Sequence, residues 1–403
     1  MSSENYDVVI VGGGPAGASA GIHLAARGAR VLLAEREHFP RPKLCGEFIS
    51  PECLTHFARL GVAERMTAAG GAAVGETVFY TRSGRGAAVP SAWLGHGAQQ
   101  RALGLSRAEM DARLLARARE AGVAVLEGAQ AVGLVTEDGG RVCGVRLSVE
   151  GETVERRAAL TVDATGRAHA LVRFVEKGSV GGVAAARRGR APHVAFKAHL
   201  EGARGHEGAC EIYFYRGGYG GLSPVEGDLS NLCFIARAAD VRDCGSDPRR
   251  VMREVLMKNR RAARTLDGAR PASAWLSVAL EGFGRREPAP ARGLLAVGDA
   301  ASFIDPFTGS GMLMALESGE LAAEAIARRL APGDRGAGRA DAFDELAGDY
   351  RARYEERFGA RLRLCGWLRR AAFAPRAFAE AAVFALGASA PARRRLARAT
   401  RGT

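Results

Sequence analysis

The sequence predicts an α/β protein in which a lobe built on a parallel sheet is interrupted by an antiparallel β-sheet lobe and followed by helices. Strands and helices alternate from residue 6 to about residue 167, as is typical of a parallel sheet with helices on its faces. Residues 193–280 read as mostly β, with glycine-rich connections. A buried strand at 294–297 then resumes the first pattern, so the first lobe is discontinuous.

These patterns predict three units along the 403 residues. We expect the first lobe to comprise residues 1–175 and 285–335, and the β-sheet lobe residues 176–284. A helical, basic segment would occupy residues 336–403. A stretch rich in Gly, Ala and Arg, residues 178–190, marks the first junction.

The most informative motif is the turn after the first strand. A buried run at 8–11 leads into a turn with G-x-G-x-x-G spacing and then a helix; the turn contains Gly12, Gly14, Pro15, Ala16 and Gly17. Glycines at these positions allow a tight turn, a close approach of the backbone to a diphosphate, and close packing of helix on strand. The helix start adds free N–H groups that favour phosphate.

Glu35 completes the dinucleotide pattern. It follows Gly17 by 18 residues and comes directly after a second apolar strand at 31–34. A carboxylate at this point can accept hydrogen bonds from both hydroxyls of a ribose and would repel a 2′-phosphate. The site therefore suits FAD or NAD rather than NADP.

A third element of the first lobe is a helix that begins at residue 107. Ser106 and Glu109 have the spacing of a capping box, and Gly122 ends the predicted helix after Glu120. Arg107 opens this helix, where its side chain could reach a diphosphate.

Two later strand ends add polar groups. Asp163 ends one strand and leads into a small-residue turn through Gly166, which suits a backbone packed against a nucleotide. Gly298 and Asp299 follow another buried strand, so Asp299 could hold ribityl hydroxyls.

The loop after Asp299 leads into a helix whose start can stabilise negative charge on a reduced isoalloxazine ring. The positions concerned are Pro306, Gly309, Gly311 and Met312.

In this order the motifs resemble those of FAD-dependent oxidoreductases of the aromatic-hydroxylase (para-hydroxybenzoate hydroxylase) superfamily. Three segments resemble its geranylgeranyl-reductase-like and halogenase-like branch: Pro42-Lys43-Leu44-Cys45-Gly46-Glu47-Phe48, Gly218-Tyr219-Gly220-Gly221-Leu222-Ser223-Pro224-Val225 and Gly282-Phe283-Gly284. The resemblance covers about residues 6–330. It implies a Rossmann-like FAD-binding (GR2-type) lobe.

The resemblance also implies which positions serve the site. The expected FAD contacts are Gly12, Gly14, Pro15, Ala16, Gly17, Glu35, Arg36, Lys43, Cys45, Gly46, Arg107, Ala131, Asp163, Gly166, Gly298, Asp299, Pro306, Gly309, Gly311 and Met312. Ala131 would lie near the adenine, and Cys45 and Gly46 at the isoalloxazine. The expected substrate-cavity residues are Phe196, Tyr213, Tyr215 and Leu222.

The flavin would carry the chemistry, so the catalytic residue is not assigned. Cys45 is the one candidate, and it would serve equally well as a small buried thiol. His199 is more readily explained as a structural histidine than as a base.

The resemblance leaves the reaction open. We first expect a monooxygenase that uses NAD(P)H and O₂ to hydroxylate or epoxidise a lipophilic aromatic, polyketide or prenylated molecule in secondary metabolism. The runner-up is an ene-reductase of prenyl or polyene chains, favoured by Cys45-Gly46-Glu47. A flavin halogenase is less expected because the WxWxIP pattern is absent from the sequence. A non-catalytic prenyl-lipid binder would not need Glu35 or Asp299.

Composition limits partners and location. No apolar run approaches the roughly 18 residues of a membrane span, and the start lacks signal-peptide features. Seven cysteines without a CxxC pair fit a reduced cytoplasm and argue against a zinc site. We therefore expect a cytoplasmic enzyme that acts on a lipophilic small molecule and binds neither metal nor nucleic acid.

The positive charge is concentrated near the carboxyl end. Residues 351–401 hold thirteen arginines and three glutamates, a net charge of +10 out of +13 for the chain. A solvated helical face would explain this, and so would contact with an anionic membrane or acidic carrier. The second interpretation rests on interleaved apolar residues, namely Leu362, Leu364, Trp367, Leu368, Phe373, Phe378 and Phe384.

Overall fold

The computed structural model describes residues 6–95, 101–137, 139–178, 191–280, 282–329, 340–372, 380 and 387–401. Asp138, residues 179–190 of the predicted junction, and the phenylalanines at 373, 378 and 384 lie outside the described residues. The strands are β1 (Tyr6–Val11), β2 (Val31–Ala34), β3 (Phe48–Ile49), β4 (Ala72–Val74), β5 (Glu76–Tyr80), β6 (Gly86–Pro90), β7 (Ala102–Gly104), β8 (Ala124–Leu126), β9 (Ala129–Thr136), β10 (Val142–Val149), β11 (Glu152–Asp163), β12 (His193–Glu201), β13 (Ala209–Tyr215), β14 (Gly218–Pro224), β15 (Ser230–Arg237), β16 (Arg270–Pro271), β17 (Leu276–Leu280), β18 (Gly284–Arg285), β19 (Leu294–Ala296) and β20 (Ser302–Phe303).

The α-helices are α1 (Pro15–Ala25), α2 (Pro51–Arg59), α3 (Ala63–Thr67), α4 (Arg107–Glu120), α5 (Ala170–Gly178), α6 (Ala238–Asp243), α7 (Pro248–Glu254), α8 (Arg260–Thr265), α9 (Gly311–Ala327), α10 (Ala340–Ala372) and α11 (Ala390–Ala399). Short 3₁₀ turns lie at Ser91–Trp93, Gly166–Ala168, Leu256–Lys258, Gly298–Ala300 and Pro306–Thr308.

The first sheet forms the nucleotide lobe, and its parallel part has the order β8-β2-β1-β11-β19. The strand β11 is long enough to serve two sets of neighbours: its first half pairs antiparallel with β10, and its second half lies between β1 and β19. The polar turns that follow β1, β11 and β19 therefore lie at one edge of the sheet, where ligands bind in open α/β sheets.

Helices cover this sheet closely on one side. The small residues of α1 allow α9 to approach so far that a Cβ at Gly319 would lie 2.4 Å from the carbonyl oxygen of Ala16. The long helix α10 packs outside α9 with buried Tyr354 and Phe358, and the Tyr350 hydroxyl donates to the Ala296 carbonyl 2.9 Å away. The helix α10 is thus part of this lobe's core.

The second sheet forms the β lobe, in the order β17-β12-β15-β14-β13-β5-β6, with β16 also paired to β12. Its pairs are antiparallel except for β5 with β13. Residues 76–90 therefore belong to the β lobe, although the sequence assigned them to the first lobe. A parallel pair formed between strands more than a hundred residues apart leaves no local signal in either strand.

The region expected to be mostly β also contains α6, α7 and α8. These helices cover one face of the second sheet, where their apolar residues Val241, Val251 and Ala262 are buried. They are six or seven residues long, too short for a clear helical period to separate them from loops.

Many arginines of the basic C-terminal segment form ion pairs within the protein, and some of these arginines are buried while others are exposed. Arg361 is 2% exposed and its guanidinium lies 2.7 Å from Glu317. Further arginines pair with carboxylates within the structure: Arg351 with Glu287, Arg353 with Asp349, Arg357 with Glu317, Arg363 with Glu355, Arg369 with Asp305 and Arg401 with Glu52. Within the described ranges, no helix is both long and apolar enough to cross a bilayer.

Candidate functional site

The turn after β1 explains why its glycines are required. Gly12 has φ +111°, and a Cβ there would lie 2.3 Å from the Ala164 carbonyl oxygen. A Cβ at Gly17 would lie 1.9 Å from the Gly12 carbonyl oxygen. At Gly14, by contrast, the nearest atoms are the guanidinium groups of Arg107 at 3.7 Å and Arg41 at 3.9 Å. A side chain would therefore clash with the protein at Gly12 and Gly17, whereas the space at Gly14 is open and bordered by positive charge.

The start of α1 faces the same space. Its N-cap residue, Gly14, has no side chain to bond the free amides, Pro15 follows, and no acidic residue lies in the first turn. Such an uncapped helix start is well suited to an anion.

Glu35 lies at the end of β2, 6% exposed, with its carboxylate turned toward this turn. It accepts hydrogen bonds from the Gly13 amide at 2.8 Å and the Glu37 amide at 3.1 Å, and Arg41 lies 3.5 Å from it. Arg36, expected at the cofactor, has a side chain 61% exposed and pairs with Glu37 at 3.1 Å.

Several cations gather beside Gly14 with too few carboxylates to balance them. Arg107 donates twice to the fully buried Asp111, both at 2.8 Å, and Arg41 lies 3.3 Å from the same carboxylate. Ser106 caps α4 by accepting from the Glu109 amide at 3.2 Å, as the capping box predicted.

The pKa of Lys43 is lowered by burial and by this excess of positive charge. Burial, and then the neighbouring charges of Arg41, Arg107 and Arg167, lower the pKa of Lys43 from 10.5 to about 8. A lysine whose charge is made unfavourable in this way lies where an anion would be stabilised.

The second acidic turn lies beside the first turn. Gly298 has φ +58°, and a Cβ there would lie 2.9 Å from the Cβ of Ala16 in α1. Burial raises the pKa of Asp299, against the opposing positive charges of Arg167 and Arg107. The structure thus brings Asp299 near the cations that surround Gly14.

The loop before α9 leads into free backbone amides at the start of the helix and is held in place by Arg401. Gly309 has φ +64°, and α9 begins at Gly311 with no side-chain cap from Ser310. Arg401, 4% exposed, donates to the Gly309 carbonyl at 3.1 Å and lies 3.4 Å from Glu52. Pro306 begins the 3₁₀ turn of this loop, and Met312 is buried in α9.

The structure gives the local surroundings of Asp163, Gly166 and Ala131. The fully buried Asp163 carboxylate accepts from the amides of Thr165, Leu171 and Val172 at 2.9–3.1 Å, so its side chain organises the turn into α5. Gly166 has φ +68° in that turn, and Ala131 lies on β9 opposite Leu147. Direct contacts of these three with a nucleotide stay predictions.

Comparison with known proteins agrees with this geometry. The family model described as "FAD binding domain" matches residues 5–350, and the chain belongs to that family of FAD-dependent oxidoreductases. Within the aromatic-hydroxylase superfamily its relatives fall on the predicted branch of reductase-like and halogenase-like proteins.

Two curated relatives are reductases by name. The chain is 30% identical to a menaquinone reductase of Mycolicibacterium smegmatis over 79% of its own length and 75% of that protein. It is 29% identical to a digeranylgeranylglycerophospholipid reductase of Methanosarcina mazei over 82% of its length and 77% of that protein. A solved flavin-dependent brominase, 22% identical, shares the fold with a TM-score of 0.78, covering 99% of this chain and 94% of that one.

The residues present fit FAD. The open space at Gly14, the free amides of α1 and the surplus of cations suit its diphosphate, Glu35 suits the adenosine ribose, and Asp299 the ribityl chain. When bound, the flavin supplies two-electron redox chemistry through its ring. The start of α9 would then favour negative charge on that ring. No group of three or more His, Cys, Asp or Glu in the described part of the chain could hold a metal ion.

Loop 41–47, between β2 and β3, joins this site to the β lobe. Glu47 is fully buried; its carboxylate pairs with Lys197 and accepts from the Nε2 atom of His199 at 2.7 Å. The Cys45 carbonyl accepts from the Asn231 side chain at 2.9 Å. Sequence reasoning mentioned Glu47 only as part of a motif, because a buried ion pair between distant segments has no signal in either one.

The residues expected to line the substrate cavity belong to the opposite face of the β sheet, which corrects that expectation. Phe196, Tyr213, Tyr215 and Leu222 are buried with Val251 and Leu256 under the helices. Tyr215 also donates its hydroxyl to two backbone carbonyls, at 2.8 and 2.9 Å.

Their neighbours face the nucleotide lobe instead. Lys197 and His199 reach Glu47, Asn231 reaches Cys45, and the Tyr219 hydroxyl donates to Asp305 in the loop before α9. The error arose because these strands are buried on both faces, so hydrophobicity does not reveal the register.

We expect Glu35→Ala to weaken FAD binding by roughly 10- to 100-fold, since hydrogen bonds to a charged group contribute about 1.5–3 kcal/mol. The measurement is the dissociation constant by flavin fluorescence, with flavin retention after gel filtration. Glu37→Ala, which removes a half-exposed carboxylate two residues away, is the control and should bind as the wild type does. Full flavin occupancy in Glu35→Ala would contradict the ribose role.

FAD binding should take up a proton near pH 9. A diphosphate beside Lys43 favours its charged form, so binding raises the pKa of Lys43 above its value of about 8 in the free protein. Affinity should therefore fall as pH rises above about 8, until the raised pKa is passed. Calorimetry in buffers of different ionisation enthalpy measures this uptake. In Lys43→Met the uptake should disappear; equal uptake in both proteins would assign it to another group.

Proposed function

We propose that this FAD-dependent oxidoreductase reduces carbon–carbon double bonds in a lipophilic, prenylated molecule. Such a reduction takes a hydride from reduced flavin and a proton from a second donor. The proposal is supported by the reductase names of both curated relatives and by the loop containing Cys45, Gly46 and Glu47, which the sequence related to prenyl reductases.

The observation that supports a lipophilic substrate is an apolar junction between the two lobes. Buried Ala195, Ile235 and Phe303 meet there, with Leu44 of loop 41–47 packed against them. The rings of Phe283 and Phe303 stack with centroids 4.8 Å apart. Apolar and aromatic surfaces beside the loops expected to hold the flavin ring suit an isoprenoid chain better than a polar substrate.

We further propose that NADH or NADPH supplies the electrons by transient binding. The sequence contains one G-x-G-x-x-G turn of this kind, and Glu35 fits the ribose of FAD there. A separate nicotinamide lobe is not required in hydroxylases of the type that the chain resembles.

Halogenation is the second candidate, favoured by the brominase that matches 99% of the chain in fold. Oxygenation is favoured by segment 218–225, which looks more like the hydroxylase-type members of the superfamily; residues 218–224 of this segment form β14. Only Tyr219 of this strand donates a side-chain bond to the nucleotide lobe, through Asp305, among the described residues. We place reduction ahead of oxygenation because the two curated relatives named above are reductases.

The reaction can be tested with the FAD-loaded protein. Chemically reduced holoprotein, mixed anaerobically with a geranylgeranylated lipid, should oxidise its flavin and add two hydrogen atoms per flavin to the substrate. Stopped-flow absorbance and mass spectrometry measure these, and free reduced FAD is the control. Flavin reoxidised only after O₂ is admitted, with ¹⁸O from ¹⁸O₂ in the product, would establish an oxygenase instead.

We propose that contact with an anionic membrane surface occurs through α11. Most arginines of the basic segment are paired internally, but Arg394, Arg395 and Arg398 are exposed and have no ion pair within the described residues. Together with Trp93 they line a groove of about 670 Å³. Arginine and tryptophan are both favoured at the membrane interface.

Replacing Arg394, Arg395 and Arg398 by Gln should lower partitioning onto vesicles of phosphatidylglycerol and phosphatidylcholine. Each arginine near an anionic surface contributes about 1 kcal/mol, so a loss on the order of 100-fold is expected at low salt. Co-sedimentation measures it. Arg242, Arg249 and Arg253, exposed on or beside α6 and α7, are replaced in the matched control. Equal losses in both variants, or none, would contradict a role for α11.

A further inference from the structure

We propose that Glu47 is a positioning residue that fixes loop 41–47 against the β lobe and, with Lys197, sets the charge beside the flavin ring. The inference goes beyond the proposed reaction, because it concerns the cofactor environment and holds for reduction, oxygenation or halogenation alike.

Glu47 lies where three parts of the fold meet. Its backbone adopts φ +53°, a region that costs a non-glycine residue energy unless its surroundings impose it. One carboxylate oxygen accepts from the backbone amide of Arg107, at 2.9 Å, and pairs with Lys197; the other accepts from His199. Glu47 therefore connects loop 41–47, the start of α4 and the strand β12.

The ion pair with Lys197 is deeply buried. Glu47 is 0% exposed and Lys197 is 3% exposed. Burial opposes the charge of Glu47, but its bonds to His199 and Lys197 outweigh burial and lower its pKa. Removing one partner would leave the other as an uncompensated buried charge, a strongly destabilising change.

The same residue determines the placement of Cys45 and Gly46. The Glu47 amide lies 3.4 Å from the Cys45 sulfur, and the Cys45 carbonyl is held by Asn231 of β15. A Cβ at Gly46 would meet nothing within 4 Å. The loop is thus anchored to protein on both sides of an open glycine, the position that the family resemblance assigns to the isoalloxazine.

Glu211 provides a matched control, which separates an effect on loop 41–47 from a general loss of stability. Like Glu47, Glu211 has a fully buried carboxylate, but Glu211 belongs to the β lobe. It is held by Arg261 at 2.7 and 3.0 Å and by the Tyr213 hydroxyl at 2.9 Å. It lies among the residues under α6, α7 and α8, not in loop 41–47. Glu211→Gln should lower stability without affecting Cys45 or the flavin.

The first experiment measures the Cys45 thiol. The FAD-loaded wild type, Glu47→Gln, Lys197→Met and Glu211→Gln are treated with iodoacetamide, and modification at Cys45 is followed by peptide mass spectrometry. Releasing the loop should raise the Cys45 rate about tenfold or more in Glu47→Gln and Lys197→Met, since alkylation reports local opening. The rate in Glu211→Gln should equal that of the wild type.

The second experiment measures the midpoint potential of bound FAD by dye equilibration. Glu47→Gln removes a negative charge and should raise the potential, because reduced flavin is then better stabilised. Lys197→Met removes the positive charge and should lower it, and the double variant should lie between the two.

The proposal is overturned if Glu47→Gln loses stability as Glu211→Gln does while the Cys45 rate and the flavin potential stay at wild-type values. Shifts of the same sign in Glu47→Gln and Lys197→Met would overturn the electrostatic part. If Glu47→Gln does not fold, Lys197→Met, which retains the carboxylate with His199, decides both parts on its own.

Discussion

The accumulation of positive charge at the carboxyl edge of the first sheet is the constraint on which the site depends. The guanidinium groups of Arg41 and Arg107 lie beside the turn after β1 and share the buried Asp111. Asp111 and Glu35 offset part of this positive charge, and an anion bound at Gly14 would offset more of it. Burial and, after it, the neighbouring charges of Arg41 and Arg107 lower the pKa of Lys43 to about 8 in the free protein.

This constraint also explains how the two lobes are joined. Loop 41–47 begins among these cations and ends at Glu47, whose carboxylate is held by β12 of the other lobe. Cofactor and β lobe therefore act on opposite ends of one short segment. Between these ends lie Cys45 and Gly46, so any change at the lobe junction reaches the expected position of the ring.

Local motifs could be read from the sequence because their chemistry is local. Each of these features stands in a short pattern at the end of a strand or the start of a helix: the glycines of the first turn, Glu35 after β2, the cap at Ser106 and the Gly298 turn. In the structure each lies at that strand end or helix start. The α/β class and the FAD family followed from their order, which the comparisons confirm.

What the sequence missed depends on long-range contacts. The sequence predicted that Phe196 of β12 faces the site, but Lys197 and His199 do so instead. Both faces of this strand are buried, so the hydrophobic pattern does not show which face points to the site. The pairing of β5 with β13 brings together segments with no shared pattern. Arg361 and Arg401 belong to a charge-rich segment, and only the folded chain shows that both are buried.

The position of Arg401 has a practical consequence. Its guanidinium holds the carbonyl of Gly309, and its own carbonyl accepts from Arg361, so the turn that follows α11 is tied to the loop before α9. A fusion or substitution that displaces Arg401 would therefore disturb the loop expected to hold the flavin ring.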